Sequence, residues 1–230
     1  SVKESTIRNN GQDESGNGVA LYANSIGLLE NSTIENHPNG SGVQVGGNST
    51  GFIHGNTITG AEDQAIAVEN SSFAEIGNKP DDDGNSRGNT LTGPFEHGIR
   101  VSNNSHARLI ANTITGYSRT GIKVNRNSSA KIGVAWDRDS YSTSQRADYG
   151  NTLDGSAISG QSVEDWQWGI RVSESSTVEL NRNLIENHQR GGVYAQGQSV
   201  VKLRGGNIVQ NNTHTESDGG GHGAGFEVRD

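Results

Sequence analysis

The chain has 230 residues, of which only 29% are hydrophobic, with a mean hydropathy of −0.71 and a formal net charge of −8. That length suits one sizeable domain or one solenoid, and the low apolar content excludes a thick central core. The absence of Cys excludes disulfides and thiolate metal sites and leaves the compartment open, the acidic balance argues against nucleic acid as a partner, and no stretch has the length and apolarity of a membrane span or signal peptide.

Taken in chain order, a phrase of Gly, apolar, any residue, apolar begins at Gly18, Gly42, Ala65, Gly98, Gly121, Gly169, Gly192 and Gly225. The successive spacings define a base period of roughly two dozen residues, lengthened in some turns, which is the signature of a repeat architecture. Strict apolar–polar alternation predicts a short strand with one buried face at each phrase. A Ser-rich bend follows at Ser49, Ser71-Ser72, Ser105, Ser128-Ser129, Ser175-Ser176 and Ser199, and leads into a second alternating segment such as Thr177–Leu180. An Asn then recurs at Asn31, Asn56, Asn89, Asn112, Asn151, Asn183 and Asn207, followed by a third segment with Ile34, Ile58, Leu91, Ile114, Leu153, Ile185 and Val209 expected inward. Asn tolerates left-handed φ in tight bends, and amides stacked at the strand spacing of ~4.8 Å can bond one another, so the Asn column is expected to be structural. The expected fold is all-β: a parallel β-helix of about eight turns with three short strands per turn and an asparagine ladder, forming a single domain over residues 1–230.

The Gly-Ile-x-Val, Ser-bend and Asn-Thr-Ile phrases resemble those of the right-handed parallel β-helix repeat proteins of the pectate-lyase-like superfamily. The resemblance implies a right-handed coil, an extracellular or cell-surface location and a substrate cleft on the sheet that precedes the Ser bend. It implies no particular activity, since one fold hosts many. Insertions near 78–88, 133–150, 154–168 and 212–224 are expected to form loops. The 48-residue spacing between Gly121 and Gly169 is read as one turn with insertions rather than two turns.

The outward position of the Gly phrase runs Ala20, Gln44, Ala67, Arg100, Lys123, Arg171, Tyr194, Glu227, with His97, Arg119, Trp168 and Arg190 on the flanks. Between Pro94 and Arg126 five cations face one acid, a local net charge of +4 in an acidic chain. Two readings follow: a solvated basic face, or a ladder that binds a linear acidic polysaccharide, with Trp168 and Tyr194 offering apolar faces to sugar rings. Lyases of the resembled superfamily remove the proton α to a uronate carboxylate, which needs a base of depressed pKa beside carboxylate-neutralising cations. Lys123 between Arg100 and Arg171 is the first candidate base and His97 the second, so Lys123, Arg171, Arg100 and His97 are the candidate catalytic set. Trp168, Tyr194, Arg119, Arg190 and Gln44 are the candidate substrate contacts. A hydrolase would require two carboxylates, and the column holds no such pair. Against the lyase or epimerase reading stands a non-catalytic stalk, adhesin or glycan-binding module.

No metal or cofactor is expected. Asp81-Asp82-Asp83 offers oxygen ligands for Ca²⁺ but matches no established calcium loop. Paired Thr columns at Thr57/Thr59, Thr90/Thr92 and Thr113/Thr115 form a flat array of three turns, of a kind also met in ice-binding β-helices. The missing Met and the strand-like segment at the very end predict an excised piece, with flanking domains or end-to-end contacts at the solenoid ends.

Overall fold

The computed structural model describes residues 1–10, 16–78, 87–133, 150–156, 167–212 and 224–229. Its strands stack into three ribbons, and every pairing is parallel. The Ser ribbon is an eight-stranded sheet of Val2–Lys3, Ile26–Glu30, Thr50–His54, Phe73–Ile76, His106–Leu109, Ser129–Ile132, Thr177–Leu180 and Val200–Leu203. The Asn ribbon runs through Thr6–Arg8, Thr33–His37, Thr57–Ala61, Thr152–Asp154, Leu184–Glu186 and Ile208–Gln210. The Gly ribbon runs through Val19–Leu21, Val43–Val45, Gln64–Val68, Trp168–Val172, Gly191–Gln196 and Ala224–Arg229. The Asn and Gly ribbons share two 12-residue strands, Thr90–Val101 and Thr113–Val124, and so join into a 14-stranded sheet. In those two turns the expected third and first short strands are one continuous strand, irregular in register around Phe95. Elsewhere three strands per turn hold, and the fold is a parallel β-helix.

Register follows the sequence phrases. Val43, Ile66, Ile99, Ile122, Ile170 and Val193 pair in one vertical column, all fully buried. Each such side chain contributes roughly 1.5–3 kcal/mol through burial, which is how a chain so poor in apolar residues maintains a core. Val124 pairs with Val172 and Ile132 with Leu180, so the 48-residue stretch forms a single turn. Glycine recurs at the head of the Gly strand because of space: a Cβ on Gly98 would lie 2.3 Å from Ile114 Cγ2 and 2.6 Å from the Gly121 carbonyl oxygen.

Two polar ladders close the corners. At the first, the backbone N–H and Nδ2 of Asn56 both donate to Asn89 Oδ1, and the pattern repeats from Asn89 to Asn112, Asn151, Asn183 and Asn207. Each Nδ2 also donates to a carbonyl of the Ser ribbon, Asn112 to Ile76 for example. Asn31 lies outside this ladder: Ser32 fills its slot and donates its N–H to Asn56 Oδ1. Nor are the ladder asparagines themselves left-handed; the residue before takes that conformation, as at Gly55 (φ 65°), Ala111 (φ 57°) and Arg182 (φ 55°). The second ladder is serine. The N–H of Ser25 donates to Ser49 Oγ, and Ser49, Ser72, Ser105, Ser128 and Ser176 each donate in turn to the next, ending at Ser199. Two consecutive left-handed residues introduce it, such as Asn103-Asn104 and Arg126-Asn127.

Candidate functional site

Pairing places the predicted outward column in one line. Gln44 pairs with Ala67, Ala67 with Arg100, Arg100 with Lys123, Lys123 with Arg171 and Arg171 with Tyr194. A second line at the mouth of the same strands joins Gln64, His97, Thr120 and Trp168. The three cations therefore occupy three successive turns at the ~4.8 Å strand spacing. At that distance like charges repel by about 1 kcal/mol per pair in water and about 3.5 kcal/mol at an effective dielectric of 20. All three are half-buried, so their repulsion is only partly screened.

Compensation within the protein is uneven. Arg100 Nη2 reaches Glu69 Oε2 at 4.0 Å, the outer limit of an ion pair. Neither Lys123 nor Arg171 has a carboxylate within ion-pair distance among the described residues. Lys123 Nζ instead donates to His97 Nε2 at 3.1 Å. Burial, with Arg171 and Arg100 on either side, lowers the Lys123 pKa to about 8. His97 is 3% exposed, and burial beside Lys123 holds it at about 2, so the ring is neutral. An ammonium can only donate, which puts the ring's own proton on Nδ1. The 3.6 Å approach of His97 Nε2 to Glu96 is accordingly no ion pair. Three buried nitrogens here lack a hydrogen-bond partner: Nδ1 of His97 and Nε of Arg100 and Arg171.

The aromatic expectation needs correction. Trp168 is 2% exposed and Tyr194 8%. The two rings stack at 4.6 Å, Arg190 lies over Trp168 at 5.6 Å, and Arg171 lies over Tyr194 at 5.7 Å. Trp168 thus has no open face for a sugar; the pair supports two arginines through cation–π contact. Arg119 pairs with Glu96. Gln44 shares the column but spends its amide on Asn17 and Glu69. Of the nine predicted residues, Arg100, Lys123, Arg171 and His97 form one cluster, Arg190, Trp168 and Tyr194 flank it, Arg119 borders it through Glu96, and Gln44 reaches it through Glu69.

Two neighbours were missing from the sequence reading. Glu69, the residue after Val68 in the turn beside Arg100, faces that arginine, and its signal was its place just past the Gly-ribbon strand. The other is a groove of about 940 Å³ at the corner between the Asn and Gly ribbons, walled by Glu62, Asp63, Pro94 and Glu96 among others. The Asp81–Asp83 run lies outside the described residues. Among the described residues no group of three His, Asp or Glu is poised to hold a metal, and no helix is long and apolar enough to cross a membrane. One Thr column is longer than expected: Thr6, Thr33, Thr57, Thr90, Thr113 and Thr152 pair in line, while the column beside it carries Arg8, Glu35 and Asp154 at its ends.

With fold and geometry established, the family match is direct. The family model for the right handed beta helix region matches residues 1–132 and 97–230, and the chain belongs to that family. The coil is therefore right-handed. No curated protein and no solved structure matches.

Proposed function

We propose that the Arg100–Lys123–Arg171 face binds an acidic polysaccharide. One observation carries this reading: three cations stand in adjacent turns, and two of them meet no carboxylate among the described residues. A carboxylate or sulfate lying across the ridge would turn mutual repulsion into attraction, and a polymer with regularly spaced anions would do so at each step. The Trp168–Tyr194 stack holds Arg171 and Arg190 from behind, which lowers the entropy lost when they bind.

The chemical step this arrangement supports is proton abstraction next to a uronate carboxylate. Lys123, with a pKa of about 8, supplies a neutral amine at mildly alkaline pH, while Arg100 and Arg171 neutralise the carboxylate. The amine takes the C5 proton, the C–H pair becomes the C4=C5 bond, the C4–O bond breaks, and water protonates the departing oxygen. His97, buried against Lys123, acts as a positioning residue.

Titration with alginate, pectate and a sulfated glycan, read by calorimetry and by ultraviolet absorbance, tests both levels. Binding should weaken steeply with salt and be lost in Lys123→Met/Arg171→Gln. Binding without new absorbance would assign a non-catalytic glycan-binding module of the solenoid. No binding to any acidic polymer, with an unchanged melting temperature, would remove the proposal.

A further inference from the structure

We infer that the groove at Glu62 and Asp63 is a second carbohydrate subsite, and that it takes uncharged, hydroxyl-rich sugars of the same chain whose acidic unit lies on the cationic ridge. The inference rests on the acidic-polysaccharide reading and narrows its substrate class to a heteropolysaccharide.

The groove runs along the solenoid axis. Its wall includes Asn9, Asn36, Gly60, Pro94 and Ser118, which belong to five successive turns, because Arg8 pairs with Glu35, Glu35 with Thr59, Thr57 with Thr90 and Thr90 with Thr113. Four steps at the strand spacing give a length of ~19 Å. With a volume of about 940 Å³, it has room for more than one sugar ring.

Its chemistry suits hydroxyls and rejects anions. Glu62 and Asp63 are exposed and in no ion pair among the described residues, so their oxygens are free to accept from sugar O–H groups. A carboxylate accepts bidentately, and such charge-assisted bonds are about twice as strong as neutral ones. The side chains of Asn9 and Asn36 supply donors, and the Pro94 ring supplies an apolar surface for C–H faces. A uronate in the same place would face Glu62, Asp63 and Glu96 with no cation of its own.

Continuity joins this groove to the ridge. The groove wall includes Glu96, which pairs with Arg119 one turn on and sits next to His97, the partner of Lys123. Backbone bonds from Glu96 N to Glu62 O and from His97 N to Asp63 O set these residues level in neighbouring turns. Along the line Asp63, Glu96, Arg119, Gln167 and Arg190, which runs beside the ridge, the charge therefore changes sign, with Glu96 and Arg119 paired to each other at the crossover. A single extended chain lying on that line meets acceptors first and cations next.

Three oligosaccharides of equal length test this: an all-uronate hexamer, a neutral hexamer, and a hexamer of three uronates joined to three neutral hexoses. Calorimetry on the wild-type protein should give at least about tenfold tighter binding of the mixed hexamer than of the all-uronate one. Glu62→Gln/Asp63→Asn should erase that preference while leaving the melting temperature and all-uronate binding unchanged or slightly improved. Equal or tighter binding of the all-uronate hexamer by the wild-type protein, or a preference that survives the double substitution, would overturn the subsite and leave the ridge standing. Failure of both charged hexamers to bind would overturn the ridge and the subsite together. Binding of the mixed hexamer that is lost in Glu62→Gln/Asp63→Asn yet untouched by Lys123→Met/Arg171→Gln would place recognition in the groove alone and sink the shared-chain model.

Discussion

The asparagine corner and the cationic ridge are built by the same operation, one side chain repeated at the height of each turn, and they end in opposite electrostatic states. At the corner every Asn112 amide atom is used: Oδ1 accepts from Asn89 twice, and Nδ2 donates to Ile76 and to Asn151. On the ridge Lys123 and Arg171 repel each other, and the Nε of Arg171 has no partner. A column that satisfies itself needs nothing from outside and holds the coil together. A column that does not satisfy itself leaves like charges at the strand spacing with a donor unused. Stacking geometry alone is therefore neutral as to role, and the hydrogen-bond count within the column separates the self-satisfied corner from the unsatisfied ridge.

The sharpest way to break the comparison is at the corner. Asn112→Ala removes four hydrogen bonds and strands the buried N–H of Asn89, while Asn89 Nδ2 keeps the Ile53 carbonyl and the Ile76 carbonyl keeps the Ile110 N–H, so it should cost about 3 kcal/mol. Chemical denaturation measures this, and Asn112→Asp should not rescue it, because a buried carboxylate cannot donate. A loss below about 1 kcal/mol would mean that the ladder is ornament rather than scaffold. Next in size is Gly98→Val. Its added atoms meet Ile114 and the Gly121 carbonyl and should cost about 1–3 kcal/mol, with the thermal midpoint as readout. Smaller still is Ser105→Ala, which removes a single acceptor, that of the Ser72 N–H, for about 1 kcal/mol.

The scaffold was legible in the sequence to a greater depth than the site. Period, inward columns and the vertical order Arg100–Lys123–Arg171 follow from alternation and spacing, because in a solenoid equal phase means contact. Asn31 was misplaced because both it and Ser32 suit a bend, although spacing separates them: Asn31 stands three residues before the inward Ile34 where the other asparagines stand two before theirs, and the pairing of Thr33 with Thr57 sets Ser32 level with Asn56. The serine ladder was seen as a bend and not as a chain of hydrogen bonds, because a hydroxyl accepting from the neighbouring turn leaves no compositional trace beyond Ser itself. The site was harder because its modifiers are out of phase with it. Glu69 and Glu96 reach Arg100 and Arg119 from positions beside the column, and Trp168 is covered although its strand neighbours on the ridge are half-exposed. Phase predicts which backbones are neighbours; side-chain reach across phases has to be seen.

The smallest effect discriminates best between the two columns. Lys123 carries a folded-state pKa of about 8 against the usual lysine value of 10.5, its charge disfavoured by burial and by Arg171 and Arg100. Below pH 8 the lysine is protonated in both states, and the native protein bears the full cost of that charge. Between pH 8 and 10.5 the unfolded chain holds a proton that the native chain has released, so this residue's contribution to stability rises with pH across that window. Lys123→Met should therefore melt higher than wild type at pH 7, by an amount reduced by solvent screening at this half-exposed position, and the gap should close as pH rises to 10.5. A polyanion should narrow it as well, since a bound carboxylate raises the lysine pKa and stabilises the wild-type protein more than Lys123→Met, which keeps only the two arginines. No such closure could follow from a substitution in the asparagine ladder, whose groups do not titrate. A pH-independent gap between Lys123→Met and wild type would mean that Lys123 is an ordinary solvated cation, and the ridge would then differ from the corner in composition alone.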